Sequence, residues 1–541
     1  MTFSTYYKYL YFFIILFYCI VLSQFGMETL DTGYMSGFSW RIINGETPYQ
    51  DFIYKFPPVT IYLHSFFMRI LPESGQFLCF RVIDYLFYAV QIYFVIDGIF
   101  KLYDGIKISK WALMIVCFLV SWNNFSPYPW PTTDGIFFAS LAFWIVCKYK
   151  TISPLKIVII SFFCLISALS KQSFYMIPLV FLIWIYVRYS FSKSIHFLIV
   201  TLFLLSFFYI FINTITSWSN FANQTNGELR LYDLYYVGFH NYILISIEYF
   251  VILISFCLTI TITYLYYQKW NFQLLKPFFK WLSFILMGIA IILFIIKKVD
   301  IAAHIAFDAT IVALFYSYFF KNKKLSFIMP LLVLLSIAWG VSISLGYPSP
   351  MLFGTGIIMS FIVIMENEIK LNQKYYFWIG LPICAVAFSF NENPYREDSV
   401  FKLHYSLDSI SPKLKYIKTK KATFEKHLEL KNLIKKYGEN FIVAPSFPQA
   451  NYIFNHQSEL PSDWLIETEV NRQMDKLIRL ASNPKNYIFI EKSFLNHEDF
   501  VRCTTPEFSS IAWFIHTKFN QLEETNHFII YNQIKKNEKL P

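Results

Sequence analysis

Apolar runs punctuated by short polar stretches fill the first 391 residues. A helix needs roughly 20 apolar residues to cross the hydrocarbon core of a bilayer. Runs of that order, several of them shorter, predict about thirteen spans, near 7–25, 77–100, 111–123, 133–147, 155–170, 173–188, 196–213, 240–265, 281–297, 301–320, 326–343, 350–365 and 375–391. The connecting loops alternate in charge. One set holds Lys101, Lys107 and Lys110; Lys148, Lys150 and Lys156; Arg188 and Lys193; Lys269, Lys276 and Lys280; Lys321, Lys323 and Lys324; Lys370 and Lys374. The opposite loops at 123–132 and 344–349 have no Lys or Arg, and 214–239 has only Arg230. Basic short loops mark the cytoplasmic side, so the N-terminus is expected inside, and residues 26–76 and the tail outside.

The first run, preceded by Lys8, has the look of a signal peptide. Ser23-Gln24-Phe25-Gly26 lacks a small-x-small cleavage pattern, so an uncleaved first span is expected. After Phe390 the pattern changes to charged sequence with apolar runs of strand length at Phe441–Ala444, 487–490 and 528–531. Helical patterns fall between them near 424–437, 463–482 and 507–521. The expected fold is therefore mainly α: a polytopic transmembrane helical bundle over 1–391, with an extracytoplasmic α/β domain over 392–541. The sequence shows no internal repeat.

Composition supports the membrane assignment. Of 541 residues, 56% are hydrophobic and 21% aromatic, and the mean hydropathy is +0.45, outside the soluble range. The net charge of +11 is dispersed in small clusters between apolar runs, unlike the stripe that nucleic acid requires. Seven of the eight cysteines lie in or beside hydrophobic runs, so no disulfide framework is implied. Nucleotide-binding, zinc and nucleophile-elbow motifs are all missing, which argues against a nucleotide-driven pump or a soluble-cofactor enzyme.

In such a chain the polar segment Asp31–Pro58 needs a partner other than lipid. It carries Asp31, Tyr49, Asp51 and Lys55 and ends at Pro57-Pro58. The following stretch to Leu71, with His64 and Arg69, is too short to span and suits a helix lying in the interface. Asp31, just past the first span, stands at headgroup height and could take a proton from an attacking hydroxyl or amine; a solvated interfacial acid is the plain alternative. Asp134, after Pro131-Thr132-Thr133, is a second acid that could share a substrate or a divalent metal with Asp31, or simply cap a helix.

Several cations fall on the side expected to be poor in them. Lys171, with Gln172, sits in a turn between two spans, where it could neutralise a lipid phosphate or merely snorkel. Lys297 and Lys298 break the charge rule in the same way. Arg81 and Asp84, three apart on one helix, suggest an internal ion pair with Arg81 near the outer surface. Asp300, His304 and Asp308 recur every four residues, but only the last two are clearly within a span. Ser344 and Tyr347 lie in a late Gly/Pro turn able to line the same cavity.

Asp31-x-Gly33-Tyr34, the run Arg41-Ile-Ile-Asn-Gly45-Glu-Thr-Pro48-Tyr49-x-Asp51-Phe52, Pro57-Pro58, Lys171-Gln172 and Ser344-x-Gly346-Tyr347 together resemble the GT-C superfamily of integral-membrane glycosyltransferases. The likeness is to the group containing protein O-mannosyltransferases and aminoarabinose transferases. It covers the membrane part, with the first segment most specific. The resemblance implies transfer of a sugar from a polyprenyl-phosphate donor to a glycan, lipid or protein acceptor, with Asp31 the catalytic carboxylate and Asp134 a second acid. That group often has an acidic pair in its first motif, whereas here Thr32 follows Asp31. Lys171, with Lys297, Lys298 or Arg81, would offset phosphate charge. A cofactor is not indicated beyond the open case of a divalent metal. The Lys/Asn/Ile/Phe/Tyr-rich composition suggests a bacterial cytoplasmic membrane. A transporter, flippase or polymerase-like handler of lipid-linked glycans is the alternative, although the paired broken helices of transporters are missing. A non-catalytic scaffold is a third.

Overall fold

The computed structural model describes residues 3–29, 31–121, 126–226, 235–236, 238–240, 244, 275–296, 298–343, 350–365, 380, 394–438, 440–445, 447–465, 470, 473–495 and 510–536. The expected spans near 240–265 and 375–391, the boundary at 391, and Lys297, Ser344 and Tyr347 lie outside these residues.

Eleven helices match the other eleven apolar runs: α1 (Phe3–Ile20), α4 (Gln76–Leu102), α5 (Lys110–Ser121), α6 (Pro131–Lys148), α7 (Pro154–Ala168), α8 (Ile177–Arg188), α9 (Phe191–Ile215), α11 (Leu275–Ile295), α12 (Val299–Lys321), α13 (Leu325–Ser342) and α14 (Gly354–Met365). Among the described residues, six helical stretches are long and apolar enough to cross a membrane. The 27 residues of α4 extend roughly 40 Å, more than a hydrocarbon core requires. Exposed Leu, Ile and Phe along α9 and α11 suit lipid. The inward faces of α1, α4 to α8 and α12 to α14 merge in one apolar core.

The two ends of this bundle differ. At one, Asp97 is gripped by Lys101 at 2.6 Å, by Lys110, and by the Trp144 indole N–H at 2.6 Å. Arg188 donates nearby to the Val146 carbonyl. At the other end lie the polar segment and the tail.

The polar segment is more helical than its composition predicts. Asp31 opens α2 (Asp31–Ile43), and Val59–Ile70 forms α3. The Glu28 carboxylate accepts from the backbone N–H groups of Asp31 and Thr32 at 3.3 and 3.0 Å, supplying acceptors that a helix start otherwise lacks. Between α2 and α3 an aromatic cluster of Tyr34, Phe38, Tyr49, Phe52, Tyr54 and Phe56 fills the segment's interior. The short α10 (Trp218–Asn226) braces it: Gln224 accepts from Tyr54 N–H at 3.0 Å and donates to the Tyr49 carbonyl at 2.9 Å.

The tail contains a four-stranded sheet, order β3-β4-β6-β5, from β3 (Phe441–Ala444), β4 (Tyr487–Glu491), β5 (Phe519–Glu524) and β6 (Phe528–Ile534). β3 and β4 run parallel; β6 pairs antiparallel with β4 and β5. A two-residue ladder, β1 (Tyr405–Ser406) with β2 (Lys418–Thr419), precedes helix α15 (Lys421–Tyr437). The helical pattern expected to reach 521 stops at Lys518. From Phe519 the chain forms β5, an edge strand paired with β6 whose polar side chains face outward, so tertiary pairing overrides local preference. The pattern expected over 463–482 yields a helix only at Met474–Ala481 among the described residues.

Tail and segment dock tightly. A Cβ added at Gly33 would lie 2.7 Å from the Gln449 side chain, and one added at Gly37, a turn further along α2, would lie 2.3 Å from the Pro448 carbonyl oxygen. Only glycine permits that approach. Arg41, buried, donates to Asp463 at 3.1 Å and to the Leu460 carbonyl at 2.7 Å, and pairs with Glu46 at 2.8 Å.

Candidate active site where the first polar segment meets the tail

Asp31 lies in the first turn of α2, where the helix dipole favours an anion. Its side chain is 19% exposed and accepts from Arg396 Nη2 at 2.7 Å. The other guanidinium nitrogen stands 3.7 Å from Glu28. Burial alone would make Arg396 easier to deprotonate, but Asp31 and Glu28 outweigh it and raise its pKa further.

Arg396 is delivered by the turn Pro394–Arg396, in which both Tyr395 and Arg396 have left-handed backbone (φ 53° and 59°). Its neighbours are pinned. The Tyr395 hydroxyl donates to the Pro127 carbonyl at 2.6 Å, and its N–H donates to the Ser126 hydroxyl at 3.0 Å. Glu397 accepts from Met27 N–H at 3.0 Å and from the hydroxyls of Thr419 and Thr423. Arg81 is spent on this scaffold. Buried, it donates to the carbonyls of Ser23 at 2.9 Å and Gly26 at 2.7 Å, and stacks 3.6 Å above the Tyr395 ring. The expected Arg81–Asp84 pair does not form, because Arg81 turns toward those carbonyls; both Asp84 oxygens lack a hydrogen-bond partner among the described residues.

Lys171 sits in the turn between α7 and α8, half-buried, with Nζ 3.1 Å from the Thr132 hydroxyl and 3.2 Å from the Ile343 carbonyl. Burial, aided by the nearby Lys55 charge, lowers its pKa to about 8. Phe174 fixes this turn by wedging between glycines: a Cβ on Gly135 would meet its ring at 2.4 Å, and one on Gly340 would meet the Ser173 carbonyl at 3.0 Å. Gln172 donates to the carbonyls of Lys55 at 2.5 Å and Thr225 at 2.8 Å. The turn thus gathers the first segment, α6, α10 and the end of α13. Asp31, through Arg396 and Tyr395, reaches Pro127; Lys171 reaches Thr132. Both therefore flank one short stretch at one end of the bundle.

Asp134 is fully buried in the first turn of α6, its Oδ2 3.1 Å from His64 Nε2 on α3. Tyr49 is buried, with φ 67° and its hydroxyl donating to the Phe56 carbonyl at 2.7 Å. Asp51 is exposed but accepts from Thr47 N–H at 2.7 Å, closing a local turn. Lys298 is exposed at the start of α12. The Asp300, His304 and Asp308 stripe does not gather into a metal site: among the described residues no three His, Cys, Asp or Glu side chains are placed to hold one ion. The five described cysteines are free.

A cavity of about 470 Å³ opens between α1, α5, α11, α12 and α14, lined by apolar side chains such as Ile14, Val116, Val120, Ala302 and Phe361. Val120 lies at the end of α5 that leads into the stretch between Asp31 and Lys171.

Sequence reading missed Arg396, Glu28, Glu397 and the partnership of His64 with Asp134. The one visible signal was the charged sequence after the last span, Arg396-Glu397-Asp398.

No family model matches the sequence, and no curated protein does. Among solved structures the chain is similar to the crystal structure of ArnT from Cupriavidus metallidurans bound to undecaprenyl phosphate. The identity is 11% and the TM-score 0.40, over 97% of this chain and 98% of that one.

Proposed function

We propose that the protein is a membrane glycosyltransferase that moves a sugar from a polyprenyl-phosphate donor to an acceptor at the outer face of a bacterial cytoplasmic membrane. The observation that carries this reading is the convergence of Asp31 and Lys171 on one stretch at one end of the bundle. The apolar cavity between α1, α5, α11, α12 and α14, whose lining includes Val120 near the end of α5, suits an isoprenoid chain.

In this reading the acceptor hydroxyl or amine attacks the anomeric carbon of the donor sugar. The new bond forms as the bond from that carbon to the phosphate oxygen breaks, and its electron pair leaves with the polyprenyl phosphate. Asp31 takes the proton of the acceptor. Lys171 and Lys55 offset the charge gathering on the departing phosphate in a site partly shielded from water. Asp134 acts as a positioning residue, tying α6 to α3 through His64. The tail closes the site from the side away from the bundle and lies outside the cell.

The test uses purified protein in lipid nanodiscs. Labelled undecaprenyl-phosphate hexoses and pentoses are supplied in turn, with a bacterial membrane extract as acceptor source. Release of undecaprenyl phosphate from at least one donor is expected; no release from any of them would count against the proposal.

A further inference from the structure

We propose that Arg396 is a phosphate-binding residue of this site, holding Asp31 with one edge of its guanidinium and a donor phosphate with the other. The inference rests on the donor class proposed above. Three observations carry it.

First, the side chain is 56% exposed, although the residues on either side of it are buried and bonded. The structure anchors Tyr395 and Glu397 and leaves the guanidinium between them reachable. Second, the backbone is left-handed at two successive non-glycine residues. Each such residue is costly, and conformations of this kind persist where surrounding contacts over-determine them, commonly at ligand sites. Here Arg81, Pro127, Ser126, Thr419 and Thr423 supply those contacts. Third, among the described residues the guanidinium is only partly used. Nη2 holds Asp31 at 2.7 Å, whereas Nη1 is 3.7 Å from Glu28, beyond hydrogen-bond length. Glu28 already spends both oxygens on the start of α2. A guanidinium has five N–H donors in a planar fork that matches phosphate oxygens. Its loosely occupied edge is thus available to an anion standing next to the carboxylate.

This makes the first turn of the tail part of the site. Donor binding would bridge the bundle and the tail through one side chain, with Arg396 orienting the base and holding the phosphate together.

The test measures binding of undecaprenyl phosphate, undecaprenol and inorganic phosphate to the full chain in nanodiscs, by intrinsic tryptophan fluorescence. Arg396→Asn removes the charge while keeping a residue that accepts left-handed backbone. Arg396→Gly relaxes that backbone altogether, and Arg396→Lys keeps the charge without the fork. The Asn and Gly variants should bind undecaprenyl phosphate at least about tenfold more weakly than wild type, Lys should fall between, and undecaprenol binding should not change. Wild-type affinity in both the Asn and Gly variants, with wild type still preferring undecaprenyl phosphate to undecaprenol, overturns the assignment of Arg396 alone. No preference for the phosphate in wild type overturns the donor reading itself. Inorganic phosphate binding as tightly as the lipid, with the same Arg396 dependence, overturns the lipid-donor assignment in favour of a free-anion site.

Discussion

Lys171 gives the donor-phosphate reading a pH signature. Its pKa of about 8 comes first from burial and then from Lys55, against about 10.4 for a free lysine. A bound phosphate favours the ammonium, so binding draws on the protonated fraction, and affinity falls once pH exceeds the pKa of the free site. With a pKa of about 8, about nine-tenths of the sites are charged at pH 7 and about one-tenth at pH 9, so undecaprenyl phosphate should bind about tenfold more weakly at pH 9. Lys171→Arg, with a guanidinium that stays protonated, should show no such loss over this range. Lys171→Met should bind weakly at both values with little slope. Fluorescence titration in nanodiscs at pH 7, 8 and 9 provides the measurement. A flat wild-type profile, or an equal slope in Lys171→Met, would refute the role of Lys171 and its depressed pKa.

Three further outcomes test the scaffold. Gly37→Leu must push a side chain into the Pro448 carbonyl, where a Cβ already falls at 2.3 Å. A loss of about 1–3 kcal/mol is expected, read as a lower melting temperature and faster proteolysis of the tail. His64→Ala removes the described hydrogen-bond partner of the buried Asp134 side chain and should cost about 1–3 kcal/mol in denaturant unfolding, with His64→Gln milder because an N–H donor survives. His427 on α15 is held near pKa 3 by burial and then by Lys426, partly opposed by its bond to the Thr423 carbonyl. Between pH 6.5 and about 3 the unfolded chain therefore binds a proton that the folded chain refuses. Stability falls as pH drops below 6.5, by about 1.4 kcal/mol per unit. His456, lowered to about 4 by burial, adds a similar slope over this range, so melting curves at pH 7, 6 and 5 should show the two together, and His427→Phe should about halve the acid loss of stability.

The long apolar helices were legible because a helix able to cross a membrane needs only apolar length, which α4, α9 and α12 display outright among the described residues. The strands β3, β4 and β6 were legible as short apolar runs between polar ones. The helix α2 was not, because Thr32, Gly33, Ser36, Gly37 and Ser39 are poor helix formers. It is stabilised by Glu28 and by the tail turn that its glycines admit. Asp31 and Lys171 could be singled out as charged residues with no lipid partner. Arg396 could not, since one arginine in a charged turn carries no sign of a carboxylate 365 residues away. Arg81 shows the reverse error: an out-of-place cation near the surface turned out to serve backbone carbonyls and the Tyr395 ring.

The account stands on Asp31 as the base, so Asp31→Asn is its most direct test. The substitution removes the acceptor of the proton while changing little volume at a partly exposed position. Sugar transfer from undecaprenyl-phosphate donors should drop by about 10²- to 10⁴-fold, in membranes containing wild-type amounts of the variant with an unchanged melting temperature. Transfer at the wild-type rate under those conditions would contradict it.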